Sequence, residues 1–139
     1  MPKNVDPTRQ QFDEFKALPR DTPIMMLNLI KLRAESVYPD GTVVTGAEAY
    51  QSYGRESAAI FNRVGGEIIW RGKPECVVTG PLDEHWDIAF IARYPNAKAF
   101  FAMVTDEDYQ KVVVHRQLAV EDSRLIRMGE AEAGTGFSA

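Results

Sequence analysis

A chain of 139 residues matches a single domain and is long enough to bury a core without metal or disulfide staples. Its net charge of −4, with no run of Lys or Arg, excludes a phosphate-tracking surface and so nucleic acid as a partner. The lone cysteine, Cys76, fits a reducing cytoplasm. The opening MPKNVDPTRQQFDEF lacks the apolar stretch of a leader, and no apolar run approaches the ~18 residues of a membrane span.

The first predicted element is a helix over Thr8–Leu18, with Asp6 as its cap and Pro7 at its first position; Phe12, Phe15 and Leu18 share one stripe. Pro23–Leu32 reads as a strand apolar on both faces, Met25, Leu27 and Leu29 opposing Ile24, Met26, Asn28 and Ile30. Such a strand is covered on both sides. Ser36–Val44 forms a small hairpin turned by Pro39-Asp40-Gly41. Thr45 and Glu48 then fit a capping box for a helix closed by Gly65-Gly66. A second extended stretch runs over Glu67–Thr79 with a bend at Gly72-Lys73-Pro74, and a third over Trp86–Tyr94 is again apolar on both faces. A short helix carries Ala97, Phe100, Phe101 and Val104. Thr105–Asp108 opens a longer helix to Val120, and Ser123–Met128 is a fourth strand.

The order β-α-β-β-α-β gives one antiparallel four-stranded sheet with helices on one face, preceded by a helical extension over residues 1–20. The main domain spans 21–128, and the small, polar 129–139 segment is expected to be a flexible tail. Two helices cover one sheet face only. The other is left to a second copy of the chain, which predicts a homodimer, or to the leading helix.

Motifs of the common enzyme and metal classes are absent. There is no HExxH, CxxC, GxSxG or Walker loop, and two histidines with one cysteine do not make a zinc site, so no cofactor or metal is expected. Cys76 reads as a small buried hydrophobe. Candidates come instead from polar residues in apolar patterns. On the last helix Arg116 shares a stripe with Tyr109, Val112 and Val113. A guanidinium placed inward needs an anion, either Asp87 at the start of the third strand or an anionic ligand. His115 flanks that stripe, suited to proton transfer as Asp87 is, or to a half-exposed surface position. Asn28 is a lone amide in an apolar strand, where it orients a ligand or satisfies a backbone group. Tyr50 and Trp86 fit either core packing or a ligand platform.

The segments PIMMLNLIKLR, YPDG, TGAEAYQSYG, RVGGEIIW, HWDIAFIARYP and DEDYQKVVVHRQLAVEDSRLI resemble domain-of-unknown-function family 1330 in its longer subgroup, from about Pro23 to Met128. Tyr109, His115 and Arg116 on the final helix are the most specific part. The resemblance implies a ferredoxin-like α+β domain of the dimeric α/β barrel superfamily, a homodimer with a pocket between sheet and helices. It implies a small-molecule ligand and assigns no reaction. Superfamily relatives include monooxygenases acting on phenolic or quinol compounds, muconolactone-type isomerases and haem-using members. The expected function is therefore binding of, or cofactor-independent chemistry on, a small anionic or phenolic compound, with Arg116, Asn28, Tyr109, Trp86 and Tyr50 holding it and His115 or Asp87 moving a proton. The alternatives are a non-catalytic binding or stress-related module and a haem protein ligated through His115.

Overall fold

The computed structural model describes residues 3–131 and 136–137. Helix α1 (Arg9–Ala17) precedes strand β1 (Ile24–Leu32), and β2 (Glu35–Val37) and β3 (Val43–Thr45) form a separate hairpin. Helix α2 (Gly46–Arg63), strands β4 (Glu67–Gly72) and β5 (Ile88–Tyr94), helices α3 (Ala97–Val104) and α4 (Glu107–Ala119) and strand β6 (Val120–Met128) complete the chain. The main sheet has the order β4-β5-β1-β6, antiparallel throughout, which is the expected ferredoxin-like topology with a leading helix and a hairpin insertion. Among the described residues no helix is long and apolar enough to cross a membrane.

Local chemistry explains where the elements start and stop, and corrects several sequence expectations. Thr8, not Asp6, caps α1. Its hydroxyl accepts from Gln11 N at 3.1 Å while the Gln11 side chain returns to Thr8 N, a reciprocal box that Asp6 has no partner to make. Thr105 does not open α4, because it ends α3 and donates its hydroxyl to Phe101 O at 2.7 Å. Asp106 takes the cap, accepting from Asp108 N and Tyr109 N, and those bonds hold its carboxyl below the usual range. At the end of α2, Gly65 adopts φ 87°, and Gly66 N donates to Phe61 O in a Schellman-type closure.

The second extended stretch ends at Gly72 rather than Thr79. Residues 73–87 are irregular, Cys76 among them is exposed rather than buried, and β5 begins at Ile88, which leaves Trp86 and Asp87 outside the strand. Strand β6 starts at Val120, directly after α4, three residues earlier than expected. Of the expected tail, residues 132–135 and 138–139 lie outside the described residues, while Phe137 is fully exposed.

Alternation along β1 decides the two sheet faces. Ile24, Met26 and Ile30 point toward the helices, and Ile24 and Met26 join Ala92, Tyr94, Ile60, Phe100, Met103 and Tyr109 in one core cluster. The opposite face carries a straight apolar row across all four strands. Trp70 pairs with Ile91, Ile91 with Leu27 and Leu27 with Ile126, and Trp70 and Ile126 are 55% and 46% exposed. Helix α1 does not cover this row. Phe12 and Phe15 pack edge-on against Phe101 and Phe100 on the helical side.

Two glycines of α2 separate close approach from mere flexibility. A Cβ on Gly46 would lie 2.0 Å from the Arg33 carbonyl oxygen, a backbone atom that cannot step aside, whereas nothing stands within 4 Å of one on Gly54. Chemical denaturation should therefore show Gly46→Ala losing about 1–3 kcal/mol by overpacking. Gly54→Ala should gain about 0.5–1 kcal/mol from reduced backbone entropy in the unfolded chain.

Candidate functional site

Between the inner sheet face and the helices the packing is incomplete. Along the cleft α2 interleaves the small residues Ala47, Gly54, Ser57 and Ala58 with the rings of Tyr50, Tyr53 and Phe61, and the short side chains leave space between the larger ones. The result is a cleft of about 2120 Å³ that runs from the N-terminal arm to β4. That is more than the ~300–1,000 Å³ of one small-molecule pocket, so a single ligand would occupy only part of it. Its floor is the inner sheet face (Met26, Asn28, Phe90 and Leu125), and α1 forms one wall.

Four of the expected residues meet here. Arg116, Tyr109, Tyr50 and Asn28 all line the cleft. Arg116 has a 13% exposed side chain and donates from Nη1 to Val5 O at 2.6 Å and from Nη2 to Ser123 Oγ at 3.4 Å. Ser123 in turn donates to Asn4 O at 2.7 Å, so the arm before α1 is tied to β6 and α4 through two neutral carbonyls. The nearest carboxylate is Asp6, 3.9 Å away and half exposed. Asn28 uses an amide proton on Met26 O at 3.1 Å, within its own strand.

Tyr53, which the sequence reading did not single out, completes the group. Its hydroxyl lies 2.8 Å from that of Tyr109, and its ring packs 5.5 Å from Tyr50. The sequence could have shown it only through the i, i+3 spacing from Tyr50, which places both on one side of α2.

The expected Arg116–Asp87 pair does not form. Asp87 sits at the mouth of β5, where its N donates to Ile30 O at 2.7 Å and its Oδ2 accepts from Leu32 N at 2.7 Å. It fastens the end of the sheet, because an irregular run just before a strand leaves the neighbouring strand's last N–H needing an acceptor. Trp86 likewise stays out of the cleft and stacks under the Arg124 guanidinium at 5.1 Å.

His115 lies one residue before Arg116 on the helix and about 100° around it, on a different side. Its Nδ1 lies 2.6 Å from Tyr38 Oη on the hairpin, and its Nε2 lies 3.1 Å from Glu56 Oε2 on α2. It lines a separate hollow of about 290 Å³ with Tyr38, Thr42 and Ser52. Both ring nitrogens are engaged, so a haem iron would have to displace Tyr38 or Glu56. Among the described residues no group of three or more His, Cys, Asp or Glu side chains converges to hold a metal ion.

The tyrosines are kept neutral. Burial raises the phenols of Tyr50, Tyr53, Tyr94 and Tyr109. The Arg116 charge pulls Tyr50, Tyr53 and Tyr109 the other way, and burial wins. Within the Tyr53–Tyr109 pair one hydroxyl donates and the other retains a proton to give, so the cleft offers a phenol donor near a cation. Raised folded values favour the neutral phenol. Their stabilising contribution is complete below the unfolded tyrosine value of ~10 and is lost as pH climbs through the folded values. Absorbance at 295 nm should show these four tyrosines ionising only together with alkaline unfolding. Phenolate from more than one tyrosine near pH ~10 in the still-folded protein would contradict the buried cluster.

Comparison with known structures and families follows the same lines. A protein of unknown function from Rhodopseudomonas palustris is 50% identical, covers 95% of this chain and 100% of its own, and superposes with a TM-score of 0.90. SnoaB, a cofactor-independent oxygenase from Streptomyces nogalater, is 13% identical with a TM-score of 0.53, over 83% of this chain and 99% of its own. A putative antibiotic biosynthesis monooxygenase from Bacteroides thetaiotaomicron is also 13% identical with a TM-score of 0.53, over 84% and 97%. At that identity the two enzymes show the shared fold alone. Comparison with curated proteins returns no match. Residues 41–129 match the family described as Domain of unknown function (DUF1330), and with that span and a half-identical relative the chain belongs to this family.

Proposed function

We propose that the protein binds a small, largely apolar molecule carrying an anionic or phenolic oxygen, with the oxygen at Arg116 and the Tyr53–Tyr109 pair. One observation carries this reading: the Arg116 guanidinium is nearly buried at the cleft wall, its hydrogen bonds go to a carbonyl and a hydroxyl, and the one carboxylate beside it, Asp6, is half exposed at the outer limit of an ion pair, 3.9 Å. A buried cation held by neutral acceptors retains most of its attraction for a negative oxygen. Tyr50, Tyr53 and Asn28 add ring surface and polar contacts beside it. Binding is favoured over catalysis because His115 and Asp87, the residues offered for proton transfer, do not line the cleft and are engaged by Tyr38 and by Leu32 N. If the protein does turn over a substrate, Arg116 and the phenols are placed to stabilise charge on its oxygen.

The test is a thermal-shift screen of hydroxylated and carboxylated aromatic compounds on the native protein and on Arg116→Met. Compounds that bind the native state should raise its midpoint, and that rise should disappear in the variant. Equal shifts in both proteins would place the ligand elsewhere. The empty variant should lose only about 1–2 kcal/mol, because no buried carboxylate is left unpaired.

We further propose that the protein works as a homodimer joined through the outer sheet face. The support is the Trp70–Ile91–Leu27–Ile126 row, which no described part of the chain covers. An isologous pairing of this face would bury an interface of the ~1,200–2,000 Å² class. Light scattering at micromolar concentration should give a dimer insensitive to salt, and Ile126→Arg should give a folded monomer. A monomeric native protein would end this proposal.

A further inference from the structure

Arg127 on β6 carries the single buried side-chain nitrogen among the described residues that meets no hydrogen-bond partner, its Nη1. The residue pairs with Met26, so it stands on the inner sheet face, and it lines the cleft beneath α1. Its Nη2 donates to Pro19 O at 2.5 Å, and its guanidinium carbon lies 5.4 Å from the centre of the Phe15 ring. No carboxylate of the described residues pairs with it. An arginine used only to brace α1 would have its donors satisfied, since a buried N–H without an acceptor costs stability. The ring face compensates the charge in part but accepts no strong hydrogen bond.

We infer that Arg127 is the anchor of a carboxylate subsite, distinct from the Arg116 end of the same cleft. This rests on the reading of the cleft as a ligand site and narrows its ligand to a carboxylic acid. The planar guanidinium matches a carboxylate, and Nη1 is the donor left for it. Arg127 and Ser123, the latter bonded to Arg116, lie four residues apart on one face of β6, about 13 Å at ~3.3 Å per residue. Between them the cleft floor carries Leu125, with Asn28 and Phe90 beside it in register, and Met26 lies next to Arg127 itself. A molecule with a carboxylate at one end, a flat apolar body and a hydroxyl at the other fits that sequence of surfaces: an aromatic hydroxy acid.

Calorimetry with 4-hydroxycinnamate, its methyl ester and cinnamate separates the two ends. The acid should bind the native protein at least about tenfold tighter than the ester, a difference that Arg127→Gln erases while leaving the ester's affinity in place. Arg127→Lys should keep part of the preference, because the charge stays and the fork is lost. Equal affinity of acid and ester for the native protein overturns the subsite, and this comparison needs no variant to fold. A preference for the acid that survives in Arg127→Gln, with its melting temperature showing a folded protein, overturns it as well. Cinnamate reports on the other end: if it matches 4-hydroxycinnamate, the Arg116 reading fails while the Arg127 subsite stands. If none of the three binds, both fail together.

Discussion

The structure depends on one strand whose two faces are both apolar. Strand β1 lies second from the edge of the sheet, between β5 and β6, and its side chains alternate between a core and an open surface. Ile24 and Met26 are buried under the helices, while Leu27 sits in the exposed row with Ile91 and Ile126. Because the side-chain period of a strand is two, a one-residue slip of β1 would exchange these sets and put Met25 and Leu27 under the helices. The register against both neighbours therefore fixes the core and the outer face at once. The register shift between Ile68 and Trp70 works to the same end, since it returns Trp70 to the outer row beside Ile91.

Along its inner face β1 passes from a packed end to an unfilled one. Near Ile24 the helices close on the sheet through Phe100, Met103 and Ile60, which pack with Tyr94 of β5. Toward Asn28 the cleft-lining side of α2 alternates alanine, glycine and serine with the Tyr50 and Tyr53 rings, and a gap remains between them. Tyr53 and Tyr109 join α2 to α4 across that gap, through a hydroxyl contact rather than apolar packing. Arg116 joins α4 to β6 and to the N-terminal arm. The polar groups of the cleft thus also hold its walls, which links occupancy of the cleft to the stability of its surroundings. An anion arriving at Arg116 would compete with the Val5 carbonyl, and a charged acceptor wins such a competition against a neutral one.

The hairpin is held by different means. Ser36 donates to Leu118 O at 2.8 Å, and Tyr38 meets His115. His115 bridges the hairpin to Glu56 on α2, so this histidine ties an insertion to the body of the domain and does not line the cleft.

Much of this was written in local sequence. Alternation along Pro23–Leu32 and Trp86–Tyr94, the Thr45 cap and the Gly65-Gly66 closure are set by neighbours within a few residues, and the element order followed from them. The inward turn of Arg116 and Tyr109 was legible for the same reason, since helical spacing alone puts them on one stripe. The choice of Asp106 over Thr105 was not, because the Thr105 hydroxyl is already engaged by α3, whereas the Thr8 cap rests on Gln11 three residues on and was present in the local sequence. Partners far along the chain were hidden entirely. That Arg116 meets Val5 and Ser123 while Asp87 meets Leu32, that Tyr53 reaches Tyr109, and that Arg127 keeps a nitrogen without a partner are decided by strand order and by where α1 comes to rest. Periodicity tells a side chain which way to face; only the packed structure determines what it finds there.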